Sequence, residues 1–239
     1  MSLTHSPPRA ADHWPNDSLL SFEIYVGRGF CEYEASAISQ TLNCANDILG
    51  ASVFRWRFVS ETPGLLSGNC GLIVRAEPVV QDHGLADALL VVGGKSGRDA
   101  NWLPRLRQMR RLSRPVVLLS DAATAYIRRT KAPAEKVTTH WRDALALKES
   151  GNYPKLTNTL SEASDGIITA AGSGATKELL ISLIAAQLST ADVAELANRL
   201  MLPLVRTSHA EQPKDMTALP LLSDARIKQA VQIMERSLE

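Results

Sequence analysis

The stretch LLSFEIYV, Leu19 to Val26, alternates apolar and polar positions, then runs apolar until Gly27 and Gly29, and so predicts a first strand. YEASAISQTLNCANDIL follows, with Ala37, Ile38, Leu42, Ala45 and Leu49 close to helical spacing and Gly50 as its stop. FRWRFVS, Phe54 to Ser60, alternates apolar residues with arginine as a half-exposed strand does, and GLIVRAE reads as a shorter strand. ADALLVVGG and RPVVLLSD are almost wholly apolar, which is the pattern of strands covered by helices on both sheet faces. A helix-like stretch rich in Arg and Leu joins them, so strand, helix and strand alternate and predict a doubly wound α/β sheet.

DAATAYIRRT is the helix that leaves the second buried strand, with Asp121 near its start. DALALKES after His140 reads as another helix, TLSEASDGIITAAG as a strand pair, and ATKELLISLIAAQL as an apolar helix whose Leu179, Leu180, Leu183, Ile184 and Leu188 face the sheet. STADVAELANRLML is a further helix, with Ser189 or Thr190 as N-cap. No internal repeat is present. Residues 207–222, TSHAEQPKDMTALPLL, are polar and aperiodic, as a linker is. SDARIKQAVQIMERSLE carries Ile227, Ala230, Val231 and Met234 on one face, which predicts either a chain cut short or a helix that docks on a partner.

Composition narrows the class. A chain of 239 residues, 45% hydrophobic and 21% charged, is long enough for one sizeable domain with appendages. No apolar run approaches the roughly 18 residues of a membrane span, and the polar, Pro-rich start lacks a signal-peptide core, so a cytoplasmic protein without membrane contact is expected. Cys31, Cys44 and Cys70 match no metal spacing and read as reduced thiols, with no zinc site and no cofactor indicated. The 26 basic and 25 acidic residues give no strong field for nucleic acid. RLRQMRRLSR, Arg105 to Arg114, is better read as the solvated face of a helix than as a phosphate patch.

Open α/β sheets bind ligands beyond the carboxyl ends of their strands. There, Gly93 and Gly94 offer backbone N–H groups to a ligand or an oxyanion. Ser120 stands at the sharp turn from the next strand into a helix, the context of a nucleophile elbow without the flanking glycines. Two readings stay open for Ser120, nucleophile or helix N-cap. Two also stay open for His140: the base that a serine nucleophile needs, or a residue that hydrogen bonds backbone while Trp141 packs the core.

Ser120 precedes Thr138-Thr139-His140-Trp141 by the twenty positions that separate it from His140, and SDGIITAAGSGATKELLISLI follows. This succession resembles the amidotransferase-like domain of AraC/XylS-family transcription regulators, within the PfpI-like superfamily, where a Cys-Thr-Gly turn stands twenty positions before a Thr-His-Trp motif. GFCEYEASAISQTLNCAN, FRWRFVS and DALLVVGG fall where that family has its N-terminal helix, a strand and a glycine turn. LPLLSDARIKQAVQIMERSLE resembles the start of the family's paired helix-turn-helix domain, whose remainder is not in the sequence.

The resemblance, over about residues 19–235, implies a three-layer α/β sandwich of the class I glutamine amidotransferase-like, PfpI-like type, with a mostly parallel, doubly wound sheet. It divides the chain into an extended or disordered segment 1–18, a sensor domain 19–206, a linker 207–222 and the start of a truncated helix-turn-helix domain at 223–239. It also implies a homodimer that takes a small, nitrogenous effector and meets DNA only through the missing domain. Enzymes of the superfamily use an elbow cysteine, whereas this chain has Ser120, with no cysteine near that turn in the sequence; Glu34 falls near the acidic position that contacts the elbow. The expectation is therefore an effector site lined by Ser120, Gly93, Gly94, Glu34, His140 and Asp121, without catalysis. Trp102 and Trp141 are candidates to hold a quaternary ammonium by cation–π contact. The alternative is a PfpI-like hydrolase or hydratase that uses Ser120 and His140.

Overall fold

The structure is a computed structural model; it describes residues 19–79, 85–130 and 135–212, together with four helical positions, Arg226, Gln229, Ile233 and Met234. Eight strands form one sheet: β1 (Leu20–Tyr25), β2 (Phe54–Ser60), β3 (Gly64–Ser67), β4 (Ile73–Pro78), β5 (Ala88–Val91), β6 (Val116–Leu119), β7 (Ser161–Ser164) and β8 (Ile167–Ala170). Their order is β3-β4-β2-β1-β5-β6-β8-β7. The six inner strands pair in parallel, and β3 and β7 run antiparallel at the edges.

The period-two alternation assigns each strand residue to a layer. Leu20, Phe22 and Ile24 of β1, Leu90 of β5 and Val117 and Leu119 of β6 share one buried cluster with α1 (Glu32–Leu49), α6 (Thr176–Ile184) and α7 (Thr190–Arg199). Tyr25, Leu89, Val91, Val116 and Leu118 point the other way, against α3 (Leu103–Arg111) and α4 (Ser120–Thr130). Two further helices are the short α2 (Lys95–Asp99) and α5 (Trp141–Ser150), whose Leu147 packs on Ile127 of α4. The mostly parallel sheet between helical layers is the fold expected from the two apolar runs.

Local signals account for several boundaries. Gly50 ends α1 in the left-handed conformation. Ser189 caps α7 in a reciprocal capping box with Asp192. Asp165 and Gly166, both at positive φ, turn β7 into β8 in the manner of a tight hairpin. β3 is not predicted by the sequence pattern: it has four residues, and only Leu66 is buried. Thr207–Gln212 of the expected linker are packed on the body, since Leu160 and Ser161 N–H donate to the carbonyls of Ala210 and Ser208, and the Gln212 N–H donates to Asn158. Of the apolar stripe expected at 227–234, Met234 is described and is exposed; the rest lies outside the described residues.

The arginine-rich helix departs from its expected solvated character at one position. Arg105 is buried and its guanidinium grips Glu23, a fully buried carboxylate on the central strand β1. Arg105 Nε donates to Glu23 Oε2 at 2.8 Å and an Nη to Oε1 at 2.5 Å, and Arg57 of β2 donates to the same Oε1 at 2.6 Å. Burial raises the carboxyl pKa, but the two guanidinium groups together outweigh it and hold the pKa below the ordinary value. The alternation of β1 explains why Glu23 faces α3: it shares the side of Tyr25, opposite Phe22 and Ile24.

Removing one partner strands a buried charge, so Arg105→Ala should lower the unfolding free energy by about 3–5 kcal/mol. Urea denaturation followed by circular dichroism measures it, and a loss below 1 kcal/mol would contradict the assigned role.

Candidate functional site

Four chain segments meet at the carboxyl ends of the central strands. Glu34 reaches them from the first turn of α1, Gly93 and Gly94 from the turn after β5, Ser120 from the junction of β6 and α4, and Ser173 from the turn after β8. Glu34 is fully buried. Its Oε1 accepts the Ser120 hydroxyl at 2.8 Å and the Ser173 N–H at 2.9 Å, and its Oε2 accepts the Gly93 N–H at 2.6 Å. Desolvation is the largest influence and raises the carboxyl pKa above the ordinary value, against the three donors and with help from the charge of Asp121.

Ser120 adopts φ +37°, in the left-handed region. That geometry is the strained strand-to-helix turn of an elbow and not the extended backbone of an N-cap. Its hydroxyl points to Glu34, so the capping alternative is set aside. The turn is fitted closely: a Cβ on Gly93 would lie 2.0 Å from Ser120 Oγ, and one on Gly172 would lie 2.2 Å from Glu34 Oε1. Gly94, at φ +86°, would bring a Cβ to 2.4 Å from the Gly29 carbonyl oxygen, so the backbones themselves touch here.

Asp121 Oδ2 accepts the Gly94 N–H at 2.7 Å, and its Oδ1 meets Arg98 at 3.3 Å. The two amides expected to serve a ligand or an oxyanion therefore already donate to Glu34 and Asp121. Cys31 is brought beside the turn although the sequence separates them: its N–H donates to the Gly93 carbonyl at 2.9 Å. Burial, followed by the charge of Glu34, pushes its thiol up to about 11, which keeps it protonated and a poor nucleophile at neutral pH.

His140 is the N-cap of α5, and its Nδ1 accepts the Arg142 N–H at 3.3 Å. No hydrogen bond joins it to Ser120 among the described residues. Its neighbour makes the link: Thr139 Oγ1 donates to the Ser120 carbonyl at 2.9 Å and lies 2.7 Å from Thr124 Oγ1. Burial lowers the imidazole pKa, with Asp143 acting in the opposite sense. Trp141 does not pack the core: it is 49% exposed, with its ring centroid 5.5 Å from that of His140. Trp102 is fully buried and donates from Nε1 to the Gly97 carbonyl at 2.9 Å, so it is unable to form part of an aromatic cage.

The structure thus brings Ser120, Gly93, Gly94, Glu34 and Asp121 together and sets His140 beside them through Thr139. Sequence reasoning missed Ser173, Gly172, Thr124 and Cys31. A glycine-serine turn after a buried strand was a signal for the first two; for Thr124 and Cys31, the chain offers none. Among the described residues, no group of three or more His, Cys, Asp or Glu is placed to hold a metal ion, and no helix is long and apolar enough to cross a membrane.

The doubly wound sheet between helical layers is the fold of DJ-1. DJ-1 from Toxoplasma gondii superposes with a TM-score of 0.62 at 15% identity, covering 77% of this chain and all of that one. An AraC family transcriptional regulator from Pseudomonas putida gives 0.61 at 17% identity, covering 76% of this chain and 99% of the other. In sequence the chain is 26% identical over 194 residues to the HTH-type transcriptional regulator CdhR of Pseudomonas aeruginosa, covering 79% of this chain and 57% of that protein. No protein-family profile matches the chain. The expected likeness to a transcriptional regulator is thus met in sequence by CdhR, and the expected fold by DJ-1 and by an AraC family regulator.

Two outcomes test the geometry. Gly93→Ala should cost about 1–3 kcal/mol of stability by overpacking, read by thermal or urea unfolding; a neutral result would mean that the turn is not tightly fitted. A group whose folded pKa is raised contributes stability below its unfolded pKa and loses it as pH rises through the folded value. Wild-type stability should therefore contain a component that falls with rising pH above the ordinary glutamate range, and that component should vanish in Glu34→Gln.

Proposed function

We propose that this chain is the effector-sensing part of a cytoplasmic transcriptional regulator: it binds a small nitrogenous metabolite at the elbow and, as a homodimer, passes occupancy to helix-turn-helix elements that contact DNA. The similarity to CdhR and the fold shared with an AraC family regulator support the regulatory role. The chain spans 57% of the length of CdhR, so DNA contact belongs to the regulator as a whole.

The observation that carries the non-catalytic reading is the state of the elbow's polar groups. The Ser120 hydroxyl donates to Glu34, no imidazole is hydrogen-bonded to it among the described residues, and the Gly93 and Gly94 amides are engaged. Glu34 is a base within reach of that hydroxyl, but the engaged Gly93 and Gly94 amides leave no free oxyanion site beside it. For a sensor, the same groups form a rigid frame, and His140, Asp121 and the exposed face of Trp141 form its outer part. The Asp121 carboxylate and an exposed indole are the kinds of group that hold a cationic nitrogen.

A thermal-shift screen of the chain against amino acids, betaines and polyamines tests this. An effector at 100 times its Kd should add about 2.7 kcal/mol of stability, and Asp121→Asn should weaken the response. Turnover of a small amide or nitrile that Ser120→Ala abolishes would overturn the reading in favour of a hydrolase or hydratase.

A further inference from the structure

A cavity of about 300 Å³ opens at the far end of the sheet from Ser120. The carboxyl-terminal half of α4, the β7–β8 turn and residues 135–137 line it. Its volume lies at the lower end of the range for small-molecule sites. Val137 and Ile167, both buried, give it an apolar floor. Around them stand both signs of charge and several hydroxyls: Arg110, paired with Asp165 across the mouth, Lys136, and the half-buried Tyr126. Lys136 makes no ion pair among the described residues. None of the six elbow residues lines this cavity.

The wall of this cavity continues into the elbow. Val137 lines the floor; the next residue, Thr138, donates its N–H at 3.0 Å to the hydroxyl of Thr169, which also lines the cavity. Thr139 follows and donates to the Ser120 carbonyl, and His140 caps α5. Four consecutive residues thus run from one site to the other, each fixed by a contact. A displacement at Val137 has a short, stiff route to Ser120.

We propose that this cavity is a second small-molecule site, built for a compact zwitterion that carries an ammonium and a carboxylate, and joined mechanically to the elbow through residues 137–140. Lys136 and the Tyr126 hydroxyl receive the carboxylate, Asp165 and Glu135 receive the ammonium, and the connecting carbons lie on Val137 and Ile167. This inference does not depend on the regulatory reading of the elbow.

Calorimetric titration of the full chain with glycine, 4-aminobutyrate and 6-aminohexanoate tests it, with butyrate and butylamine as single-charge controls and Trp141 fluorescence as a report from the elbow. At least one zwitterion should bind and change that fluorescence. Lys136→Glu, at an exposed position, should weaken binding tenfold or more, Tyr126→Phe should weaken it severalfold, and Asp121→Asn should leave it unchanged. The single-charge controls should bind at least tenfold more weakly. Failure of all three zwitterions to bind overturns the proposal. Binding that Asp121→Asn abolishes and Lys136→Glu leaves intact also overturns it, while placing the ligand at the elbow and leaving the sensor reading standing.

Discussion

A fully buried carboxylate, that of Glu34, has to be satisfied without a counter-charge, and the arrangement of the elbow follows from that need. Its two oxygens take three donors from three separate segments, so α1, the β5 turn, the β6–α4 junction and the β8 turn are held to a common centre. Loss of any donor would leave part of a buried polar group unpaired, which costs more than the hydrogen bond itself contributes. The strain of Ser120 at positive φ is held in place by the same contacts.

Glu23 is a second fully buried carboxylate, and its environment has the opposite effect. Two guanidinium groups hold its pKa down, whereas neutral donors leave Glu34 raised by burial. One lies on the central strand and ties α3 and β2 to β1; the other lies at the strand ends, where ligands of this architecture approach. The ion pair serves to pin helix to sheet. The neutral donors around Glu34 instead hold four chain segments together at the strand ends.

The segment 137–142 connects these features to the rest of the molecule. Gln212 brackets it from outside, with Oε1 accepting the Trp141 N–H at 2.8 Å and Nε2 donating to the Thr139 carbonyl at 2.8 Å. The Thr-Thr-His-Trp stretch is therefore gripped by the elbow on one side and by residues 207–212 on the other. A change at the elbow therefore has a short route to residues 207–212. Coupling of this kind requires a ligand with different affinity for two arrangements of that segment.

By itself, the sequence determined the layered α/β class, because strands buried on both faces must be continuously apolar and helices must show a 3.6-residue stripe; the β1, β5, β6, α1 and α7 assignments rest on such local patterns. It also marked the elbow and Glu34, through spacing that resembles a known family. The partner of Arg105, the exposure of Trp141, the approach of Cys31 to Gly93 and the engagement of the Gly93 and Gly94 amides were decided only by tertiary structure. Each depends on which strand lies beside which and on how far a helix is rotated about its axis. Those quantities are set by packing between residues distant in the chain, and periodicity along one segment carries no record of them. β3 escaped for a related reason: a four-residue edge strand with one buried side chain is defined by its neighbour β4 and not by its own pattern.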